Sequence, residues 1–543
     1  MTTTVDAGTA PPRAGLVLTA LILVAGVANI NLAVANVALP DIGRELDASS
    51  TQLNLIAVGY SLGLAASVLY FGALGDRHGR KMMVILGMGL TIPASLVAGL
   101  AGNVEVLFGA RVVGGVAAGL AFPTTLAVIT ALWSGPARTK AIAAWSAIGG
   151  AISAMGPLLS GALLEVFDWG SVFLVTLPLA VVALIAAWRL IPSDHGDDDA
   201  KVDNLGGLLS IVMVGALVLA LNFAPESDMR MTVYILAAIA IIGIGCFVYR
   251  QLHVRVPLFD LRIASRRTFW VAAVGGLIVF GTLMGAMFIG QQFMQNVLGY
   301  STLASGATIL VGAAAMVVVA PRSAKLVEAR GSRFTLLCGY ISIVVGLLLA
   351  MLTWDENAQF WHVGTVYLFV GIGVGLAGTP ASRSLTGSVP VQRAGMASSM
   401  SDLQRDLGGA ILQSILGSIL TAGYANHLRE SIASSPNADQ VTSQTETALT
   451  KSFSSAEVLA ERYPQYAEQI IAAAREAFVH GDTLAYGAAV LIVLAGAVVV
   501  FLGYPRRDHE RALMKTYAAE SFSDGESDLS LIHISEPTRL GMI

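Results

Sequence analysis

Charge is scarce in this chain of 543 residues: only 13% are Asp, Glu, Lys or Arg, against roughly 25% in an ordinary soluble protein. The 32 Lys and Arg set against 36 Asp and Glu leave a net charge of −4, so no basic excess exists for a nucleic-acid partner. Lysine is rarer still. No lysine follows a glycine, which excludes a Walker A phosphate loop and with it an ATP motor carried on this chain. The two cysteines, Cys246 and Cys338, each lie within an apolar run, which excludes a disulfide scaffold and a cysteine metal site. The histidines fall in loops or at run ends without ligand-like pairing. Neither a metal nor an organic cofactor is expected, and nothing reads as an enzyme. What is abundant is hydrocarbon. Hydrophobic residues make up 55% and the mean hydropathy is +0.71, which places the chain in a bilayer.

A bilayer core takes about 20 mostly apolar residues per helix. Six such runs are predicted at 15–38, 52–74, 82–102, 104–132, 139–164 and 171–191. Two more follow at 205–224 and 231–249, and six others at 269–294, 302–321, 334–353, 361–382, 395–424 and 483–504. Basic residues crowd the connections after even-numbered spans, among them Arg77, Arg80, Lys81, Arg138, Lys140, Arg255, Arg262, Arg330 and Arg393. The short connections on the other side hold only Arg44 and Arg230. By the positive-inside rule both termini face the cytoplasm of a multi-pass inner (plasma) membrane protein. The polar stretch from Met1 to Arg13 does not read as a cleavable signal.

The expected organisation is a cytoplasmic N-terminus (1–14), a six-helix bundle (15–193), two linking transmembrane helices (203–253), a second six-helix bundle (268–504) and a cytoplasmic tail (505–543). A long extracytoplasmic loop is expected over 425–482. Within it Ser454 and Glu457 read as a capping box, and Ile470, Ile471, Ala474 and Phe478 as an apolar stripe resting on the membrane face. The last stretch breaks character: Leu529 to Arg539 resembles translated adapter or vector sequence and stands outside the fold argument.

Between the second and third spans runs Gly72-Ala-Leu-Gly-Asp-Arg-His-Gly-Arg-Lys81. Its weaker echo, Leu326 to Arg333, aligns Glu328 with Asp76 and Gly331 with Gly79, so the chain reads as a duplicated six-helix unit. Gly72 to Lys81 resembles motif A of the major facilitator superfamily. Leu107-Phe-Gly-Ala-Arg-Val-Val-Gly-Gly115 resembles its motif B, and Gly156-Pro-Leu-Leu-Ser-Gly161 its antiporter motif C. Asn36 to Pro40, Asp168 to Phe173 and Val297 to Tyr300 are also familiar from that group. With two extra central helices, the whole is similar to the fourteen-helix drug:proton antiporters of the EmrB/QacA type over about residues 15–505. The resemblance implies an all-α major facilitator fold working as a proton-driven exporter of lipophilic, cationic or amphipathic compounds, without ATP. Export of an endogenous lipid or secondary metabolite is the second reading, and a non-transporting scaffold or sensor the third. The expected partners are the small lipophilic substrate or lipid, protons and membrane lipids, with the protein a monomer.

Residue by residue, Gly72, Gly75 and Gly79 permit a tight turn and close helix contact. Asp76 is placed to face the positive end of a helix starting near Gly395. Arg77, Arg80 and Lys81 are expected to add ion pairs that hold the cytoplasmic side shut. Gly156, Pro157 and Gly161 form a hinge, because Pro157 removes a backbone hydrogen bond in mid-helix. Gly373-Val-Gly-Leu-Ala-Gly378 matches a dinucleotide pattern on paper, but no strand precedes it, and it reads as helix packing through small residues.

Charges within the membrane need partners or a function. Arg111 in the fourth span and Asp402, Arg405 and Asp406 in the thirteenth are the candidates for proton coupling. At 1.5 Å per residue from Gly395, Asp402 lies roughly 10 Å deep and Asp406 roughly 16 Å. Four apart, the two acids share a face, and two close carboxylates resist ionising together. They are expected both to exchange protons and to meet a cationic substrate. The resemblance implies an Asp on the first helix, where this chain has Asn31, which cannot titrate. Asn31, Asn36, Tyr60, Trp145, Met287, Gln291 and Gln295 are the further candidates for the substrate cavity, with methionine supplying adaptable contact.

Overall fold

In lipid every backbone polar group must be satisfied within the protein, so apolar runs of this length become helices. The computed structural model describes residues 11–46, 48, 50–193, 202–224, 229–390, 393–434 and 441–517. The side chain of Asn36 and the stretch 518–543, with its adapter-like end, lie outside the described residues.

Among the described residues, fourteen helices are long and apolar enough to cross a membrane. In order they are Ala14–Leu39, Leu55–His78, Arg80–Gly99, Val104–Leu132, Gly135–Leu164, Ser171–Leu190, Asn204–Phe223, Arg230–His253, Arg267–Val297, Leu303–Arg330, Ser332–Thr353, Phe360–Gly387, Ala394–Ser434 and Pro464–Gly503. We call them spans 1 to 14. Span 1 has a turn at Val34 between two helical segments, and span 9 ends in a π-helical turn, Phe293–Val297.

Packing repeats. Within the first bundle spans 2 and 4, 3 and 4, 1 and 5, 3 and 6, and 1 and 6 are in contact. Spans 10 and 12, 11 and 12, 9 and 13, 11 and 14, and 9 and 14 repeat that pattern in the second bundle. The bundles meet along two related seams, span 2 on span 13 and span 5 on span 10. The second seam is built from small residues, with Ala143 and Ala147 against Ala320 and Ala324. Glycines let helices approach elsewhere too. A Cβ on Gly373 would stand 2.7 Å from the Gly339 carbonyl, so the dinucleotide-like pattern serves helix contact.

Spans 7 and 8 pack on each other, and span 7 also packs on span 2. Their base is pinned by Asp203, which caps span 7 at the Gly206 amide (2.9 Å) and accepts from Arg250 Nε (2.8 Å) and Gln251 (3.1 Å).

The expected loop over 425–482 is largely helix. The helix of span 13 runs 41 residues to Ser434, about 60 Å at 1.5 Å per residue, twice the ~30 Å hydrocarbon thickness. Span 14 takes in the stripe of Ile470, Ile471, Ala474 and Phe478, which is therefore no separate membrane-surface element: Ala474 and Phe478 are buried in the second bundle's core. Between the two rise short helices Ser443–Lys451 and Phe453–Arg462. The latter is capped by Ser452, whose hydroxyl accepts from the Ser455 amide at 3.1 Å, rather than starting at a Ser454–Glu457 box. These elements form a cap at the face opposite the Gly72–Lys81 turn. An even number of crossings puts both described chain ends on the turn's face.

Candidate functional site

The turn between spans 2 and 3 closes one seam. Gly79 sits at φ 93°, a conformation in which a side chain is strained. The loop then lets Asp76 reach across to the other bundle, where both its oxygens accept from the amide of Gly395, at 3.0 and 2.9 Å. That amide belongs to the first turn of span 13, where a helix leaves its N–H groups free and presents its positive end. Arg80 pairs with Asp76 at 3.1 Å. Close approach is required here: a Cβ on Gly72 would stand 2.8 Å from the Gly395 carbonyl, and one on Gly395 2.6 Å from the Asp76 carboxylate. Gly75 is different, since a Cβ there would meet the flexible Met83 side chain at 3.3 Å and Thr124 at an ordinary 3.8 Å. Arg77 forms no ion pair among the described residues, so the expected pairing of all three basic residues is corrected in its case.

Two turns further along span 13 lie the charges. Arg405 reaches Asp402 at 3.3 Å and Asp406 at 3.7 Å, bridging acids that share a helix face. Asp402 is 1% exposed, and one oxygen of each acid has no hydrogen-bond partner. From the first bundle, Phe122 on span 4 sets its ring 4.4 Å from the Arg405 guanidinium carbon, a cation–π contact across the bundle interface. Trp145 backs that ring at 5.5 Å between centroids and donates to Thr125 at 2.9 Å. Asp406 is within electrostatic reach of Tyr60 on span 2, whose hydroxyl donates to the Ala28 carbonyl at 3.1 Å. Two carboxylates share one guanidinium, which leaves a surplus negative charge at the interface when both are ionised.

Arg111 and Asn31 form a second polar group, internal to the first bundle. Arg111 donates to the Asn31 carbonyl at 2.5 Å and lies over the rings of Tyr60 and Phe173, at 4.9 and 5.8 Å. Its Nη2 has no partner. The Asn31 amide donates to the Val27 carbonyl at 3.1 Å and accepts from Ser95 and Thr176 at 3.4 and 3.3 Å. A cavity of about 10 Å³, room for one water, lies between Asn31, Tyr60, Ser95 and Arg111. The asparagine is thus held among spans 1, 3, 4 and 6.

Other sequence candidates separate. Gly156 packs on span 1, where a Cβ would stand 2.6 Å from that of Ala33, while Gly161 has ordinary room beside Leu303. Pro157 sits within the same helix. Gln291 donates to the Ser305 carbonyl at 3.1 Å and receives from Gln295 at 3.4 Å, at the cap end of span 9. Counting along spans 9 and 13, that pair is roughly 18 Å higher than Asp406, so one compact ligand does not touch both. Met287 packs on the second bundle's core. Sequence reasoning missed Phe122, for which one aromatic in an apolar run gives no signal. It also missed Asp482, a buried acid of span 14 assigned to the expected loop; the continuous helical pattern from Ile470 onward was the signal available.

Residues 21–412 match the Major Facilitator Superfamily. Among curated proteins, the "Multidrug efflux pump LfrA" of Mycolicibacterium smegmatis is 30% identical over 91% of this chain and 97% of its own. The "Multidrug resistance protein Stp" of Mycobacterium tuberculosis is 32% identical over 72% of each. The "Methyl viologen resistance protein SmvA" of Salmonella typhimurium is 28% identical over 89% of this chain and 97% of its own. In fold, the chain is similar to the human organic anion transporter MFSD10, with a TM-score of 0.58 at 13% identity over 90% of this chain and all of that one.

Proposed function

From the premise that this chain belongs to the Major Facilitator Superfamily, we propose that it exports lipophilic cationic or amphipathic drugs in exchange for protons by alternating access. The turn face is then cytoplasmic and the cap extracytoplasmic, as the distribution of basic residues supports. The observation that carries the reading is the Asp402–Arg405–Asp406 group, set on a bundle seam and stacked on Phe122 from the other bundle. A group at that position feels every change in the relation of the bundles. With both acids ionised it favours a cation beside Arg405; with one protonated the surplus charge is gone and the cation is released. Proton and drug thus compete for one carboxylate, which is what antiport needs. The Asp76–Gly395 contact holds the cytoplasmic side shut while exchange proceeds on the other.

Relatives named for multidrug efflux and for methyl viologen resistance support drugs as the substrate class. Carboxylates at the interface favour a cation over a neutral lipid or metabolite, and a scaffold has no need of a closed latch with charges behind it. Trp145 acts here by backing Phe122, and Asn31 by its main-chain carbonyl on Arg111 and its amide among Val27, Ser95 and Thr176, rather than as contacts of the drug.

The test is ethidium transport in proteoliposomes under an imposed pH gradient, with wild type, Asp406→Asn and Asn31→Asp compared. Gradient-driven transport in wild type and its loss in Asp406→Asn are expected, with Asn31→Asp still active. Full gradient-driven transport by Asp406→Asn refutes the coupling role of the cluster.

A further inference from the structure

A further buried acid stands in the same bundle as Asp402 and Asp406, nearer the cap end. Asp482 on span 14 is 2% exposed, and its Oδ1 has no hydrogen-bond partner. Around it the core is aromatic. The Trp354 ring stacks on Phe293 at 4.9 Å and meets the edges of Tyr486 at 5.3 Å and Tyr367 at 6.3 Å. Tyr367 and Tyr486 are both within electrostatic reach of Asp482.

The polar atoms there do not pair off. The Tyr367 hydroxyl and the Trp354 indole nitrogen are buried and also without partners, whereas Tyr486 donates to the Ala286 carbonyl at 3.3 Å. An acceptor and two donors left open in one core is an arrangement that native interiors rarely keep without a use. The adjoining end of span 9 is the π-helical turn Phe293–Val297, a local irregularity that often accompanies function.

The titratable groups within electrostatic reach of Asp482 are Tyr367 on span 12 and Tyr486 on span 14. Asp355, Glu476 and His480 are exposed, and Tyr424 on span 13 donates its hydroxyl to the Leu449 carbonyl at 3.1 Å. Arg475 stands seven residues away, about 10 Å along the helix, and Asp482 has no ion pair among the described residues. A lone ionised carboxylate in such a place is expensive, so the group gains most by holding a proton.

Ionisable side chains gather on its cap side. His427 stacks on His480 at 4.6 Å and lies 3.6 Å from Glu476. His480 is exposed and precedes Asp482 by two residues. Between them, spans 13 and 14 come into backbone contact at Gly423 and Gly481.

We propose that Asp482, with Tyr367 and Trp354 as its hydrogen-bonding surround, is a second proton-binding site, filled from the extracytoplasmic side through His427, Glu476 and His480. It rests on the proton-exchange reading above and adds a carboxyl outside the Asp402–Asp406 cluster. The site takes up and gives back H⁺ alone, so no bond other than O–H forms or breaks.

Two measurements test it. Static-head accumulation of ethidium is read in proteoliposomes at a pH difference of one, with drug counterflow at equal pH as the control for folding and binding. Each proton exchanged multiplies the sustained ratio by about ten, so Asp482→Asn is expected to lower it about tenfold while counterflow persists, and Asp482→Glu to restore it. An unchanged ratio in Asp482→Asn, or loss of counterflow together with the gradient response, overturns the proposal. The second measurement does not depend on transport. Dicyclohexylcarbodiimide, which attacks protonated buried carboxyls, is expected to modify Asp482 in the intact wild-type protein, as read by peptide mass. Absence of that adduct at pH 6 overturns the proposal, even where wild type transports normally. Wild type that moves no drug yet carries the adduct overturns the drug-export reading and leaves the protonation site standing.

Discussion

Replacing Asp76 with Asn tests whether its contact with Gly395 keeps the turn face shut. The carboxylate takes two hydrogen bonds from one amide at the start of span 13. A hydrogen bond to a charged group contributes about 1.5–3 kcal/mol net, against about 1 kcal/mol for a neutral one. The helix terminus adds roughly 0.3–1 kcal/mol for the charge. Arg80 does not enter this difference, because it sits on the same bundle as Asp76 and moves with it. An asparagine oxygen still accepts from Gly395, so the loss is about 1–2 kcal/mol, a factor of about 5–30 in the population with the seam open. Ser399 reports on that population. It is fully buried, donates to the Val68 carbonyl across the seam at 2.9 Å, and tolerates cysteine by size. In a background with Cys246 and Cys338 changed to serine, the Ser399→Cys thiol reacts with a maleimide only when the seam opens. Its labelling rate is expected to rise about 5–30-fold on adding Asp76→Asn. An unchanged rate, in protein that still elutes as a single folded species, refutes the latch.

Two further outcomes follow from the geometry. Burial pushes the Asp203 carboxyl up, but its bonds from Arg250, the Gly206 amide and Gln251 outweigh that and hold it below the usual carboxylate value. A depressed native value contributes stability above the unfolded value near 4 and loses it as pH falls through the native one. The melting temperature of wild type is therefore expected to drop on acidification below about pH 4, and that of Asp203→Asn to drop less; parallel curves refute it. At the other end of the chain, Glu510 accepts from the Ser332 amide at 3.0 Å and from its hydroxyl at 2.5 Å, fastening the helix over 507–517 to the start of span 11. Glu510→Ala is expected to speed amide exchange in that helix about tenfold, the equivalent of about 1.4 kcal/mol from a lost charge-assisted bond, and unaltered protection refutes the fastening.

Hydropathy made the membrane-crossing portions legible because lipid leaves the backbone no alternative to helix. The same signal stops at the bilayer surface. Span 13 keeps its helix to Ser434 and span 14 starts at Pro464 through segments whose polarity reads as loop, and Asp482 was hidden in that misreading. Local spacing was informative where one helix carries the whole arrangement, as with Asp402, Arg405 and Asp406. It was uninformative where the partner arrives from elsewhere in the chain: nothing around Phe122 announces a guanidinium 283 positions later. Asn31 shows the opposite limit, since the residue type excluded proton transfer at once, while its part in holding Arg111 needed the neighbouring helices.

The two repeats have kept one backbone feature and parted in its use. Gly79 and Gly331 occupy corresponding turns with nearly the same φ, 93° and 88°. Three residues before the first, Asp76 crosses to the facing bundle. Three residues before the second, Glu328 leaves its Oε1 unpaired and lends only its carbonyl, to Arg507 and Arg511 of the terminal helix. The seam of spans 5 and 10 is held by alanine against alanine at Ala143, Ala147, Ala320 and Ala324 and by Gly150 against Met316 and Gly306 against Leu158, whereas that of spans 2 and 13 carries the Asp76 carboxylate on the Gly395 amide. Under the alternating-access reading proposed above, the small-residue seam would serve as the pivot and the Asp76 seam as the bolt.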